Sequence, residues 1–140
     1  MSRVLAEARG WIGTPYVHQA SVRGAGCDCL GLVRGVWRAI HGDEPAPVPR
    51  YAPDWDEANG EERLRTAADL YLQPAEGLAP GRVILFRMRS DAVAKHLGIV
   101  AEVGAAPTFV HAYSRHGVIE SPLSAPWRRR IVATYLLEKE

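Results

Sequence analysis

The 140-residue sequence has only two cysteines, no long hydrophobic run and almost no net charge. Cys27 and Cys29 are separated by one residue, a spacing at which a disulfide would be strained, so we expect two free thiols. No apolar stretch is long enough to span a bilayer, which argues against a membrane partner. The 17 basic and 16 acidic residues give a formal charge of +1, so bulk electrostatics does not favour a nucleic acid partner.

The sequence also begins without the features of a secretory signal peptide. The first nine residues are amphipathic rather than continuously apolar. We therefore expect the chain to be made in the cytoplasm and not to be exported by the usual route. The length and the hydrophobic content of 47% fit one domain, residues 1–140, which can bury its own core without disulfides or a structural metal.

The hydrophobic periodicity changes along the chain from helical to strand-like. Apolar residues at helical spacing predict helices over residues 2–12, with Ser2 as the N-cap, over 29–40 and over 61–72. After the Pro80-Gly81 turn, strands are predicted over residues 82–88, 95–103, 108–114, 117–120 and 129–137. Helices followed by an antiparallel sheet indicate an α+β domain in which the central helix packs on the sheet.

A proline-rich segment separates the second and third predicted helices. Residues 43–54 contain Pro45, Pro47, Pro49 and Pro53, so this segment can be neither a helix nor a central strand. It could form one wall of a peptide-binding groove, or it could simply cross the surface between two helices. The sequence leaves both interpretations open.

The most informative stretch is residues 26–33, where a glycine-rich loop runs into the second helix with Cys29 at the junction. Unsatisfied amides and the positive end of the helix dipole stabilise an anion in the first turn. We therefore expect a lowered pKa for Cys29, as in nucleophilic cysteines. Cys27 lacks the position at the helix start and is interpreted as a packing residue.

Two histidines on predicted strands can complete a catalytic set with the thiol. His96 opens one strand and could act as the general base, while His111 on the next strand could orient it. His111 depends on the strand register, because a slip of one residue would turn its ring to the other face. His116 is the possible substitute. His18 is interpreted as a solvated loop histidine rather than a substrate contact.

These residues resemble the NlpC/P60 family of cysteine peptidases, which cut the peptide stems of bacterial cell walls. The resemblance is carried by Gly13-Thr14-Pro15-Tyr16, by Asp28-Cys29-Leu30-Gly31-Leu32-Val33, by His96-Leu97-Gly98-Ile99 and by Val110-His111-Ala112. The order and co-occurrence of these motifs are more specific than any single one. One departure is Leu30, where the family usually has serine; we expect this side chain to point away from the thiol.

The resemblance implies a papain-like fold and roles for individual residues. Cys29 would be the nucleophile, His96 the general base and His111 the residue that orients it. Tyr16 would help to hold the oxyanion, and Asp28 would belong to the same oxyanion or substrate-binding region. No cofactor and no metal are implied. A zinc site of Cys27, Cys29, His96 and His111 is disfavoured, because Cys-x-Cys is tighter than the usual ligand spacing.

The resemblance also implies a substrate and a route to it. The usual bond in the family joins γ-D-glutamate to a diamino acid in a peptidoglycan stem peptide. Short single-domain members without a signal peptide are similar to tail peptidases of phages and gene transfer agents. We therefore expect partners among phage-like tail hub or tip proteins and action at the cell wall, with delivery as a secretion-system effector as the other route.

Other functions remain open at this stage. The domain could be a structural plug or tip component of a tail with little activity, or a cytoplasmic cysteine amidase that acts on another substrate. The basic run at residues 128–130 is interpreted as a solvated strand opening that discourages aggregation, rather than as a surface for nucleic acid or membrane.

Overall fold

The structure, a computed structural model, describes residues 2–51 and 61–139 and contains four helices and eight strands within these ranges. The helices are α1 (Arg3–Gly10), α2 (Cys29–His41), α3 (Arg63–Tyr71) and α4 (Ala125–Arg129). The strands are β1 (Ser21–Val22), β2 (Gly26–Cys27), β3 (Gln73–Ala75), β4 (Val83–Arg87), β5 (Ala94–Val100), β6 (Thr108–Tyr113), β7 (Gly117–Pro122) and β8 (Ile131–Leu136).

The strands form a two-stranded ribbon and a larger sheet. The ribbon pairs β1 with β2, and the six-stranded sheet has the order β3-β8-β4-β5-β6-β7. All of these pairings are antiparallel. This arrangement of helices and an antiparallel sheet confirms the predicted α+β class.

Strand alternation divides the apolar side chains between the two faces of the large sheet. Val83 and Leu85 join the main core, which includes buried residues of α1, α2 and α3. Ile84 and Phe86, which alternate with them, join a second cluster on the opposite face. The half-buried Trp127 of α4 packs against that second cluster. Both faces of the central strands are therefore covered, which explains why β4 is almost entirely apolar.

Local sequence signals account for the first two helices. The Ser2 side chain accepts a hydrogen bond from the Leu5 amide at 3.1 Å and caps α1, as predicted. The Asp28 side chain caps α2 by accepting from the Gly31 amide at 2.7 Å. Each cap satisfies a backbone N–H that has no partner within its helix.

The prediction missed several short elements. The glycine-rich loop before α2 contains the β1-β2 ribbon, which the sequence did not predict. Pro74 follows the third helix and lies in β3, a short strand that was not predicted. This strand is at the edge of the large sheet, where the missing N–H of proline is tolerated. Arg128 and Arg129 do not open a strand as predicted; they end the short helix α4, and Arg130 precedes β8.

The described part of the proline-rich segment, residues 43–51, contains neither helix nor strand, as predicted. Pro53 and the neighbouring Trp55 lie outside the described residues. Within the described ranges, no helix has the length and apolar character needed to cross a membrane.

The contact between α1 and α2 depends on a glycine. A Cβ atom at Gly35 would lie 2.0 Å from Cζ2 of the buried Trp11. Alanine is normally better than glycine in a helix by about 1 kcal/mol. We predict the opposite sign here: Gly35→Ala should lower the free energy of unfolding by about 1–3 kcal/mol, because the ring cannot move without disturbing the core. Urea denaturation measures the change.

The matched control is the same substitution in a Trp11→Phe background. A smaller ring relieves the overlap, so the cost of Gly35→Ala should shrink in a double-mutant cycle. An equal cost in both backgrounds would show that the Trp11 contact does not explain it.

Candidate active site

Cys29 is the first residue of α2 and lies against the start of β5. Its thiol donates toward the Lys95 carbonyl oxygen, with the sulfur 3.7 Å from that oxygen. The thiol also interacts with the backbone of Leu97. Because His96 lies between Lys95 and Leu97 in the chain, Cys29 lies beside the backbone of His96. The Cys29 side chain is partly exposed. The helix start and the strand opening meet as the sequence predicted.

The two strand histidines form a hydrogen-bonded pair. Nε2 of His96 lies 2.8 Å from Nδ1 of His111. The pairing of β5 with β6 aligns Ile99 with Val110, and this register brings the two rings together. His116 does not take the place of His111, because its ring stacks on Tyr113 instead.

A serine that sequence reasoning missed continues the histidine pair. Nε2 of His111 lies 2.9 Å from Oγ of Ser121 on β7. Ser121 is not directly opposite His111 in the register, since His111 pairs with Ile119. No motif in the sequence marks it, because the contact is a diagonal one between neighbouring strands.

Aromatic side chains enclose the histidine pair. The His96 ring centroid is 5.5 Å from that of Trp127, and the His111 centroid is 4.1 Å from that of Phe109. Only 7% of His96 and 1% of His111 are exposed. Burial lowers the pKa of His96 to about 3 and that of His111 to about 4, with the neighbouring His111 and His116, respectively, lowering them further. Both imidazoles are therefore neutral at physiological pH.

The expectation of a lowered pKa for Cys29 is wrong for the free protein. Burial raises its pKa from 9.0 to about 12, and the Asp28 carboxylate raises it further. Backbone hydrogen bonds from Leu97 on β5 and from Leu30 and Cys29 at the helix start lower it only in part. A rise of this size corresponds to about 4 kcal/mol in favour of the thiol. A helix terminus typically contributes about 0.3–1 kcal/mol in the other direction. Desolvation therefore outweighs the helix dipole, and the resting group is a neutral thiol.

Tyr16 lies near the thiol, as the resemblance implied. Its backbone forms an isolated parallel β-bridge with Cys27, which lies just before α2. Burial raises the pKa of Tyr16 to about 12, and the charges of Cys29 and Asp28 raise it further. The phenol therefore keeps its proton at neutral pH and can donate a hydrogen bond. Its part in holding an oxyanion stays a prediction.

Asp28 is buried at the start of α2, where both of its carboxylate oxygens accept hydrogen bonds. It is 3% exposed, and its Oδ1 accepts from the Gly31 amide. Its Oδ2 accepts from the Gln19 amide at 2.8 Å and from the Tyr51 hydroxyl at 2.5 Å. Both carboxylate oxygens are thus engaged within the protein. Its part in binding the oxyanion or the substrate stays a prediction.

His18 lies in a loop with 34% of its side chain exposed, and its ring is also held by contacts within the protein. Its Nε2 donates to the Tyr51 carbonyl oxygen at 2.7 Å, and its Nδ1 lies 3.8 Å from Oδ2 of Asp28. Tyr51, which belongs to the proline-rich segment, was not recognised from the sequence as a site residue. Cys27 is fully buried, with its pKa raised by burial to about 12, in keeping with a packing residue.

Among the described residues, no group of three or more His, Cys, Asp or Glu side chains is arranged to hold a metal ion. Cys27 packs in the core, whereas the imidazoles of His96 and His111 bond to each other.

The fold of this chain recurs in solved structures. The chain superposes on the NlpC/p60 domain of the peptidoglycan hydrolase SagA with a TM-score of 0.60 at 19% identity, covering 95% of both chains. The fold is that of an NlpC/P60 domain. Comparisons with protein-family models and with curated proteins find no match.

Two longer proteins contain the same NlpC/P60 fold. One is a Staphylococcus aureus protein of the NLP/P60 family, described as similar to a lipoprotein. It matches 98% of this chain with a TM-score of 0.62 and 20% identity. The other, an NlpC/P60 family protein from Bacillus cereus, has a TM-score of 0.61 and 17% identity over 96%. The chain spans only 41% and 39% of their lengths.

The resting protonation state of Cys29 can be tested by alkylation. Because only the thiolate reacts, we predict that the rate of iodoacetamide labelling rises continuously from neutral to alkaline pH. Cys27 is buried, and Cys29→Ala should therefore abolish labelling of the folded protein. A rate that is already constant around neutral pH would contradict a neutral thiol and indicate a stable thiolate–imidazolium pair.

The buried histidines should make stability depend on pH. Their folded pKa values, about 3 and about 4, lie below the unfolded value of 6.5. Below pH 6.5 the unfolded chain therefore binds more protons than the folded chain. The free energy of unfolding falls from pH 6.5 toward pH 4, by up to about 1.4 kcal/mol per pH unit for each histidine. Urea denaturation at a series of pH values gives the free energy of unfolding as a function of pH. The slope of this free energy against pH should be smaller for His111→Asn than for the wild type, and an unchanged slope would contradict the assignment.

Proposed function

We propose that this protein is a cysteine peptidase that cleaves an amide bond in peptidoglycan stem peptides. The observation that carries the proposal is the 2.8 Å contact between His96 and His111, made where β5 opens beside Cys29 at the start of α2. A thiol, a base and a group that orients the base are the parts needed for acyl transfer by a cysteine. The SagA domain, which shares this fold, belongs to a peptidoglycan hydrolase.

The hydrogen bonds favour one protonation state for catalysis. Two arrangements of protons satisfy the contacts of His111 with His96 and Ser121. In the productive one, His111 donates from Nε2 to Ser121 and accepts at Nδ1 from Nε2–H of His96. Nδ1 of His96 then carries a lone pair, and it has no hydrogen-bond partner among the described residues. We assign this nitrogen as the acceptor of the thiol proton.

The reaction follows from this state. Cys29 attacks the stem-peptide carbonyl as its proton passes to His96, so the thiolate forms only when the substrate is in place. This order suits a free enzyme whose thiol is neutral. Backbone amides at the start of α2 and the Tyr16 hydroxyl would stabilise the oxyanion. His96 then protonates the leaving amine, and water hydrolyses the acyl-enzyme.

The bond and the delivery route are the finer parts of the proposal. We propose a γ-D-glutamyl–diamino acid bond and carriage by a phage-like tail. Both are supported by the motif resemblance around Cys29, His96 and His111. Co-purification with tail particles and localisation in them by immunoelectron microscopy test the second part, and free protein in the cytoplasm would contradict it.

Digestion of purified peptidoglycan tests the enzyme class. We expect the wild type to release a defined stem fragment, identified by mass spectrometry. Cys29→Ala should reduce the rate by at least about a thousandfold, and His111→Ala by about a hundredfold or more, because an unoriented base transfers the proton poorly.

Cys27→Ala is the matched control for the nucleophile. It removes a thiol two residues away that lies in the core, and it should keep activity as long as circular dichroism shows a folded protein. Release of the same fragment by folded Cys29→Ala would overturn the assignment of the nucleophile. The absence of cleavage by folded wild type would overturn the peptidoglycan substrate.

A further inference from the structure

Trp127 differs in origin from the other aromatic side chains around the histidine pair. Phe86 lies on β4, and Phe109 and Tyr113 lie on β6, whereas Trp127 belongs to the short helix α4. The Trp127 ring centroid is 5.2 Å from that of Phe86 and also 5.2 Å from that of Phe109. The half-buried indole therefore covers the second cluster from outside the sheet.

The same indole contacts both histidines of the pair. Its centroid is 5.5 Å from that of His96, with the ring planes tilted by 32°, and 5.3 Å from that of His111, with the planes at 81°. The centroids of His96 and His111 are 5.0 Å apart. The three rings thus form a nearly equilateral triangle. The indole therefore lies beside the hydrogen bond between the histidines rather than beyond one end of it.

Backbone contacts hold α4 in this position at both of its ends. Before the helix, the Leu123 amide donates to the Pro107 carbonyl oxygen at 2.8 Å, and the Leu123 side chain is buried in the second cluster. After the helix, the Arg130 carbonyl oxygen accepts from the Arg87 amide at 2.8 Å. The Arg130 guanidinium lies over the indole, 5.5 Å from its centroid. One residue of the basic run at 128–130 therefore packs on Trp127.

The Trp127 indole makes no hydrogen bond among the described residues. The other two tryptophans in the described ranges differ in this respect. Nε1 of Trp11 donates to Glu7 at 2.9 Å, and Nε1 of Trp37 donates to the Asp43 carbonyl oxygen at 2.8 Å. The Trp127 side chain is therefore held by contacts of its ring, so a role of this residue has to come from what the ring covers.

We propose that Trp127 is a positioning residue, which covers the hydrogen bond between His96 and His111 and keeps water away from it. Water that reached this bond would donate to and accept from either ring, and the bond would no longer fix one orientation of His96. A hydrogen bond away from water is also electrostatically stronger. Trp127 thus acts on the base through His111. The catalytic consequence rests on the proposed function, whereas the exclusion of water does not.

The proton between the two rings reports the cover without any substrate. In protein with isotope-labelled histidine, we expect NMR to show this imidazole N–H proton at neutral pH, because a covered bond exchanges slowly with water. Loss of the signal in His111→Ala assigns it. Trp127→Ala should speed up the exchange by at least about tenfold. Trp127→Phe should restore slow exchange in part, since it keeps an aromatic ring at the position.

Trp37→Ala is the matched control. Trp37 is also a half-buried tryptophan that packs on a histidine, with its ring centroid 4.3 Å from that of His41. This histidine is not part of the pair, so the control should leave the exchange rate of the signal unchanged. All of these variants keep Lys95 and His116, whose charges act on the pair.

A double-mutant cycle tests the route through His111. With soluble stem peptides as the substrate, Trp127→Ala should lower kcat about tenfold or more and change KM by less than about twofold, because the base is affected and substrate binding is not. In the His111→Ala background, the same substitution should lower kcat by less than about twofold, since the bond that the indole covers is already absent.

Trp127→Leu takes the place of Trp127→Ala in both measurements if circular dichroism shows that the alanine variant does not fold. Wild-type exchange as fast as that of the exposed His116, or equal exchange in the wild type and a folded Trp127 variant, would overturn the cover. An equal loss of kcat in the wild-type and His111→Ala backgrounds would overturn the route through His111. A wild type that cleaves no stem peptide would overturn the proposed function, and slow exchange that is lost in the Trp127 variants would still support the cover.

Discussion

The Asp28 carboxylate is the constraint on which the site depends. One of its oxygens accepts from the Gly31 amide and so caps α2, and the other accepts from the Gln19 amide and the Tyr51 hydroxyl. A buried carboxylate needs such donors, because burying it without them would cost several kcal/mol. The same group therefore determines where α2 begins and where two loops lie relative to it.

This arrangement has an electrostatic consequence for the thiol. The Asp28 charge adds to desolvation and raises the pKa values of Cys27 and Cys29 on either side of it. The two buried imidazoles are kept neutral by the same lack of solvent. The thiol and the two imidazoles are thus all uncharged in the free protein. In the proposed mechanism, charge appears only when a substrate accepts the sulfur and a proton moves to His96, which limits side reactions of the thiol in the absence of substrate.

The attachment of Tyr51 links the active site to the proline-rich segment. The bond to Asp28 and the pairing of Glu44 with Arg34 hold this segment over α2. This segment lines an apolar cavity, whose other lining residues include Leu30 and Leu97. The residue that caps α2 therefore also holds one wall of this cavity.

The sequence by itself determined the order of the main elements and the identity of the central residues. Helical spacing after Cys29 and strand patterns around His96 and His111 are local properties, so they can be recognised without a structure. The motifs around these residues likewise indicated the NlpC/P60 fold. Strands of two or three residues, such as β1 and β3, contain too little periodicity to be recognised in this way.

Only the tertiary structure decided the properties that depend on distant neighbours. The contact of His96 with His111 required the register of β5 and β6, and Ser121 joined them through a third strand. The pKa of Cys29 could not be inferred from its place at a helix start, because burial outweighs the local amides. The sequence thus identified the candidate reacting groups, while packing determined their protonation and their contacts with one another.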